Sequence, residues 1–162
     1  MVGVDEDTYR AIMSRLVSGV SVVSTQHRNL DLAMTATSIV SVSIDPPTVL
    51  FTVHEDARLA QAIHDGAGWA VSILGAGAQA SADWLGSPGR PAINQLSTIS
   101  YTRGEKTQAA ILTQAASWVE CETTWMKPAE THIVVVGRVV NGGIHPGVSG
   151  GLVHAFGRIE PY

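Results

Sequence analysis

The chain has 162 residues, 45% of them hydrophobic and 15% charged, enough for one domain with a core of ordinary size. The charge content lies below the roughly one quarter typical of soluble chains, so much of the surface is apolar and an extensive subunit interface is expected. Ten basic against fourteen acidic side chains leave a net charge of −4 without a Lys/Arg cluster, which argues against nucleic-acid binding through phosphate neutralisation.

Cys121 is the only cysteine, which rules out an intrachain disulfide and a cysteine zinc site. The six histidines show no H-x-x-x-H or H-E-x-x-H spacing, so no metal site is expected. The acidic N-terminus M-V-G-V-D-E-D does not read as a signal peptide. No run is long and apolar enough to span a bilayer. The expectation is a cytoplasmic protein with no membrane or nucleic-acid partner.

Taken in order, residues 5–17 read as a helix capped by Asp5 or Asp7, with Tyr9, Ile12, Met13, Leu16 and Val17 on one face. Residues 20–25 are β-branched and strand-like. A polar turn over 26–31 leads to a second strand, Leu32–Val42, as a hairpin. Asp45-Pro46-Pro47 stops that run, and residues 48–53 resume as a buried strand. Asp56 is placed as the N-cap of a helix over 57–64, with Gly66 as its stop. A strand over 69–74 follows, then a helix over 78–85 with Trp84 and Leu85 turned inward, then a surface loop at Gly86–Pro91. Residues 93–103 are ambiguous, and Ile111 and Leu112 return to the core. Residues 115–126 and 131–140 form a large hairpin around 127–130. A flexible loop covers 142–151, and residues 152–159 close the chain as one strand. Many strands at short spacing with few helices favour a closed antiparallel barrel over a doubly wound sheet.

The most informative stretch is M-T-A-T-S-I-V-S-V-S-I-D-P-P, residues 34–47. Strict alternation puts Thr35, Thr37, Ser41 and Ser43 on one face and Ala36, Ser38, Val40, Val42 and Ile44 on the other. Buried hydroxyls are costly unless hydrogen-bonded, so this wall needs either internal partners or a ligand with polar atoms along one edge.

The same stretch resembles the signature of the short-chain flavin reductase family, the small reductase components of two-component flavin monooxygenases, whose usual form is G-M-T-A-N-S-x-x-S-V-S-x-D-P-P. Further similarities lie in W-A-V-S-I-L, W-V-E-C-E, E-T-H-I-V-V-V-G-R-V and L-V-H-A-F-G-R-I, so the resemblance covers nearly the whole chain. It implies a mainly β fold, a split Greek-key barrel of the FMN-binding type with a few short helices, pairing as a homodimer. It implies a flavin reductase that takes FMN or FAD with NADH or NADPH and hands reduced flavin to a partner monooxygenase.

By the resemblance, Thr35, Ala36, Thr37 and Ser38 lie along the edge of the flavin ring, and Ser41, Val42 and Ser43 continue that wall. Backbone amides and short hydroxyls in a row suit the donors and acceptors on the rim of that ring. Ala57 stands where the family places a serine near the flavin phosphate. Arg58 reads either as a phosphate donor or as a solvated helix residue, and Asp56 at the N-cap competes for the same amides. Ser72 and Trp84 replace a family asparagine and phenylalanine. His132 matches the histidine of the family's G-D-H and is the catalytic candidate; the plainer reading is a satisfied polar residue at a strand start. His154 and Arg158 fall near the position that borders the nicotinamide. Cys121 reads as buried packing, and G-V-S-G-G at 147–151 lacks the strand–turn–helix context of a nucleophile elbow. Three alternatives stay open: a flavin-binding barrel without turnover, a related split-barrel oxidase, and a non-enzymatic, ligand-free protein.

Overall fold

The structure, a computed structural model, describes residues 3–162; Met1 and Val2, which open the acidic stretch noted above, lie outside the described residues. The elements run α1 (Glu6–Met13), β1 (Ser18–Gly19), β2 (Ser21–His27), β3 (Leu30–Ala36), β4 (Val40–Ile44), β5 (Pro47–His54), α2 (Arg58–His64), β6 (Trp69–Leu74), a 3-10 turn (Ala76–Ala78), α3 (Gln79–Gly86), β7 (Tyr101–Arg103), β8 (Ala110–Leu112), β9 (Ala115–Ala129), β10 (His132–Ile144), β11 (Leu152–Ala155) and β12 (Arg158–Pro161). The main sheet has seven strands in the order β3-β2-β6-β9-β10-β5-β4, beside a three-stranded sheet β1-β11-β12 and the pair β7-β8.

The two edges of the main sheet are consecutive in the chain. Ala36 ends β3 and Val40 begins β4, so the link over 37–39 spans at most about 14 Å. A sheet whose outer edges lie that close must roll up. The edges do not pair with each other, so the barrel is split rather than closed, as the resemblance implies and against the closed form that strand spacing favours. The single strand expected over Leu32–Val42 is therefore two strands on opposite sides of the seam. Ala36 pairs with Ser21, whereas Val40 pairs with Leu50. Ser38 stitches the link to β5: its hydroxyl accepts the Thr52 N–H at 3.0 Å and lies 3.4 Å from the Thr52 carbonyl.

The core follows from strands buried on both faces. Residues 21–25 of β2 are all buried, with Val23 in one apolar cluster and Val20 and Val22 in another. The first cluster gathers Phe51, Trp69, Val71, Cys121 and Val135 under Leu59 and Ile63 of α2. Phe51 and Trp69 meet edge to face, 4.9 Å between centroids, and β10 passes the indole at Gly137, where any Cβ would collide with it. The second cluster joins Leu74, Leu85 of α3, Leu112 and Leu152. Ile111 and Leu112 are buried as expected. Glu120 is buried among these strands as a clip for the 104–109 turn. It accepts the Lys106 and Thr107 N–H groups at 3.0 and 2.8 Å, the Thr107 hydroxyl at 2.7 Å and the Asn141 amide at 2.7 Å.

Several expected boundaries are corrected. Asp5 caps α1 by accepting the Thr8 N–H, but the helix stops at Met13 and buries nothing; its apolar residues stay exposed. The N-cap of α2 is Ala57, without a side-chain cap, because Asp56 lies in the preceding turn with its N–H donated to His54 Nδ1. The hairpin strands β9 and β10 run longer than expected: 127–129 pair directly with 134–132 at the hairpin tip, and 141–144 join because pairing resumes past bulges after Val136 and Val139. The closing strand is a hairpin, β11–β12, turned by Phe156 and Gly157 at positive φ. Arg28 and Asn29 turn β2 into β3 in the same way. Residues 93–103 hold turns that bury Leu96 and Ile99, then β7. No helix among the described residues is long and apolar enough to cross a membrane.

Candidate functional site

The seam leaves a cleft of about 780 Å³ between the open edge of β3, the end of β5, the start of α2 and the loop after α3. Its floor is set by strand alternation. On β3, Ala33 turns its N–H and C=O away from β2: the N–H goes to Gln95 Oε1 at 3.2 Å, and the C=O accepts Arg90 Nη2 at 2.8 Å. Two residues on, Thr35 turns its backbone groups the same way, into the cleft, beyond the reach of that cover. An exposed strand edge is a row of donors and acceptors. Here the row begins where the 87–95 loop stops.

That loop is held at several points. Gln95 is buried and donates to the Pro91 carbonyl at 3.0 Å, and the Trp84 indole donates to the Gln95 carbonyl at 2.9 Å. Arg90 Nη1 donates to the Ser87 carbonyl at 2.9 Å. Arg90 Nε is buried with no partner, and no carboxylate pairs with this guanidinium among the described residues. Burial pulls its pKa below the ordinary arginine value.

The opposite wall carries a histidine pair. His132 opens β10 directly across from His54 at the end of β5, and the rings meet edge to face with centroids 5.3 Å apart. His54 Nδ1 accepts the Asp56 N–H at 3.2 Å, which leaves Nε2 as its protonated nitrogen when the ring is neutral. His132 Nδ1 shares a hydrogen bond with the Thr131 hydroxyl at 3.0 Å.

Of the residues singled out in the sequence, Thr35, Ala36, Thr37, Ser38, Ala57, Arg58 and His132 all line this cleft. Their hydroxyls are less free than the sequence suggests. Thr35 Oγ1 donates to the Ala82 carbonyl at 2.6 Å and Ser38 is tied to Thr52, so this part of the wall presents its backbone. Ser41, Val42 and Ser43 lie on β4, outside the cleft, and the Ser43 hydroxyl donates to the Asp45 carbonyl at 3.1 Å. Ser72 is buried and accepts the Leu112 N–H at 3.1 Å. Trp84 does not turn inward as expected: it is 40% exposed and braces the loop from outside. His154 and Arg158 line a second cleft of about 460 Å³, which shares Gly86 with the first. Sequence reading missed Arg90 and Gln95. The only local signal was an arginine between a glycine and a proline, which is also what a solvated loop looks like.

A model of the flavin reductase like domain matches residues 13–162. An NADH-dependent FAD reductase of Streptomyces globisporus is 30% identical over 98% of this chain and 86% of its own. The crystal structure of the flavin reductase component of a bacterial two-component tryptophan halogenase superposes with a TM-score of 0.89 at 31% identity, covering 97% of this chain and 98% of that one. A structure of the Streptomyces globisporus NADH:FAD oxidoreductase with NAD and FAD fragments gives a TM-score of 0.89 at 27% identity, over 100% of this chain and 97% of that one. With the match running through nearly every element that shapes the cleft, the chain belongs to the flavin reductase-like domain family.

Proposed function

We propose that the protein is a flavin reductase that passes a hydride from NADH to FMN or FAD and releases reduced flavin to a partner monooxygenase or halogenase. The observation that carries this is the open edge of β3 inside the cleft. It presents a line of backbone donors and acceptors within a volume in the range of small-molecule sites, about 300–1,000 Å³. The residues fit a flavin nucleotide on both counts it demands: a polar edge for the ring, and cationic side chains at the wall for a phosphate. The related NADH-dependent FAD reductase and the related halogenase reductase component point to the donor and the acceptors.

A bound flavin would supply the hydride-accepting ring, so the chain itself needs no acid or base. Its own work is orientation. Thr35 and Ser38 are locked by Ala82 and Thr52, which fixes their backbone before any ligand arrives and lowers the cost of ordering the site. Thr35, Ala36, Thr37 and Ser38 form the ring edge, with Ala57 and Arg58 across from it. His132, braced by Thr131 and His54, is placed to position the nicotinamide. His154 and Arg158 extend that side through the adjoining cleft. Ser72 and Trp84 act through the segments they hold. Ser41, Val42 and Ser43 belong instead to β4, whose exposed Val40, Val42 and Ile44 suit a second copy of the chain, and we read the working form as a homodimer.

The test is a steady-state assay crossing NADH and NADPH with FMN and FAD. Nicotinamide oxidation that requires added flavin, fastest with NADH, is the expected result. No flavin-dependent oxidation in any of the four combinations contradicts the proposal.

A further inference from the structure

We propose that Arg90 is the anion receptor of the cleft, binding a phosphoryl group of the flavin or of the nicotinamide dinucleotide. The inference rests on the function proposed above and goes beyond it in assigning a phosphate contact to the loop wall rather than to the start of α2.

Arg90 reaches the end of the open β3 edge: its Nη2 holds the Ala33 carbonyl, two residues or about 7 Å from Thr35. The guanidinium spends two N–H groups on the Ala33 and Ser87 carbonyls. Its remaining donors have no protein acceptor, and Nε is out of contact with water. A clamp on two carbonyls does not by itself need a permanent charge. A partly buried cation without a carboxylate is costly to maintain, and the cost is offset when an anion completes the site. Arg103, by contrast, meets its carboxylate partner in Asp31. In the cleft the acidic group is Asp56, exposed on the α2 side and not bonded to Arg90. A guanidinium also suits a phosphoryl group geometrically, since its fork meets two oxygens at once.

The test compares ligands with and without phosphoryl groups; NADH also differs from its riboside by adenosine, so competition by pyrophosphate assigns that arm to the phosphates. Dissociation constants are measured by fluorescence for FMN against riboflavin, and for NADH against dihydronicotinamide riboside, on the wild type and on Arg90→Met. If the flavin provides the anion, Arg90→Met weakens FMN about tenfold or more, as expected for a lost charge-assisted contact, and changes riboflavin less than twofold. If the dinucleotide provides it, the same selective loss appears in the NADH pair. Arg90→Lys keeps the charge and retains part of the discrimination, which covers the case that the methionine variant does not fold. On the wild type, inorganic pyrophosphate is expected to compete with the phosphorylated member of the affected pair and not with the other. Equal loss of both members in both pairs identifies a merely structural clamp and overturns the proposal, as does no change in either pair. A wild type that binds riboflavin and FMN equally, and NADH no better than its riboside, overturns it while leaving the flavin reading intact. A wild type that binds no flavin removes that reading and this proposal with it.

Discussion

At the scale of the residue, polar groups under cover decide both stability and site. Glu120 is the clearest structural case. Burial alone would raise its pKa, but four donors outweigh that and the net direction is downward. A carboxyl held below its unfolded value, near 4.3, contributes stability above that pH and loses it as the pH falls through the folded value. Glu120→Gln keeps the shape but turns a donor toward groups that are themselves donors. Denaturant unfolding at pH 7 is expected to show a loss of about 2–4 kcal/mol. The variant is also expected to lose stability less steeply than the wild type below about pH 5. Identical acid slopes would mean that the clip carries no linked proton. Cys121 beside it is inert by the same logic, its thiol pushed up to about 12 mainly by burial. The residue scale is also where the sequence was least legible. W-V-E-C-E shows that residue 120 is acidic, not that four donors converge on it from the 104–109 turn and β10. S-P-G-R-P shows an arginine in a loop, not that the loop folds back over Ala33, far away in the chain.

Elements were legible where local pattern and tertiary role agree. The β-branched run before the H-R-N turn, the L-A-Q-A-I helix and the two long hairpin strands all lie within a few residues of where periodicity puts them. The hydroxyl-rich run over 34–44 reads as continuous strand because nothing in it breaks one. The interruption at 37–39 comes from two pairings on opposite sides of a seam, which no local propensity encodes. Two elements carry apolar faces that this chain does not bury: α1, with Tyr9, Ile12, Leu16 and Val17 exposed in and just beyond it, and β4, where Val40, Val42 and Ile44 are 48%, 49% and 91% exposed. Contiguous apolar faces of this kind mark association surfaces. Sedimentation equilibrium is expected to give twice 17.1 kDa for the wild type. The double substitution V42D/I44D is expected to shift the mass toward the monomer. A wild type that sediments as a monomer at micromolar concentration would contradict the homodimer.

At the scale of the whole molecule, the split is what makes the site. A fully closed barrel would pair β3 with β4 and consume the edge of Thr35 in the sheet. Because Ala36 and Val40 are joined by so short a link, the two edges stand close without pairing, and Ser38 fixes the gap by bonding to β5. The family motif spans this seam, from the end of β3 through β4. The role of the motif was only half readable, since the Thr35 and Ser38 hydroxyls brace the wall and leave the backbone edge to the cleft.

The central claim is that this backbone edge takes up the flavin ring. Amide hydrogen exchange, followed by mass spectrometry with and without saturating FMN or FAD, tests it most directly. Peptides covering residues 33–39 are expected to exchange markedly more slowly with flavin present, while the 104–109 turn, which lies outside the cleft, is unchanged. Unaltered exchange over 33–39 at flavin saturation would place the ligand elsewhere and contradict the account.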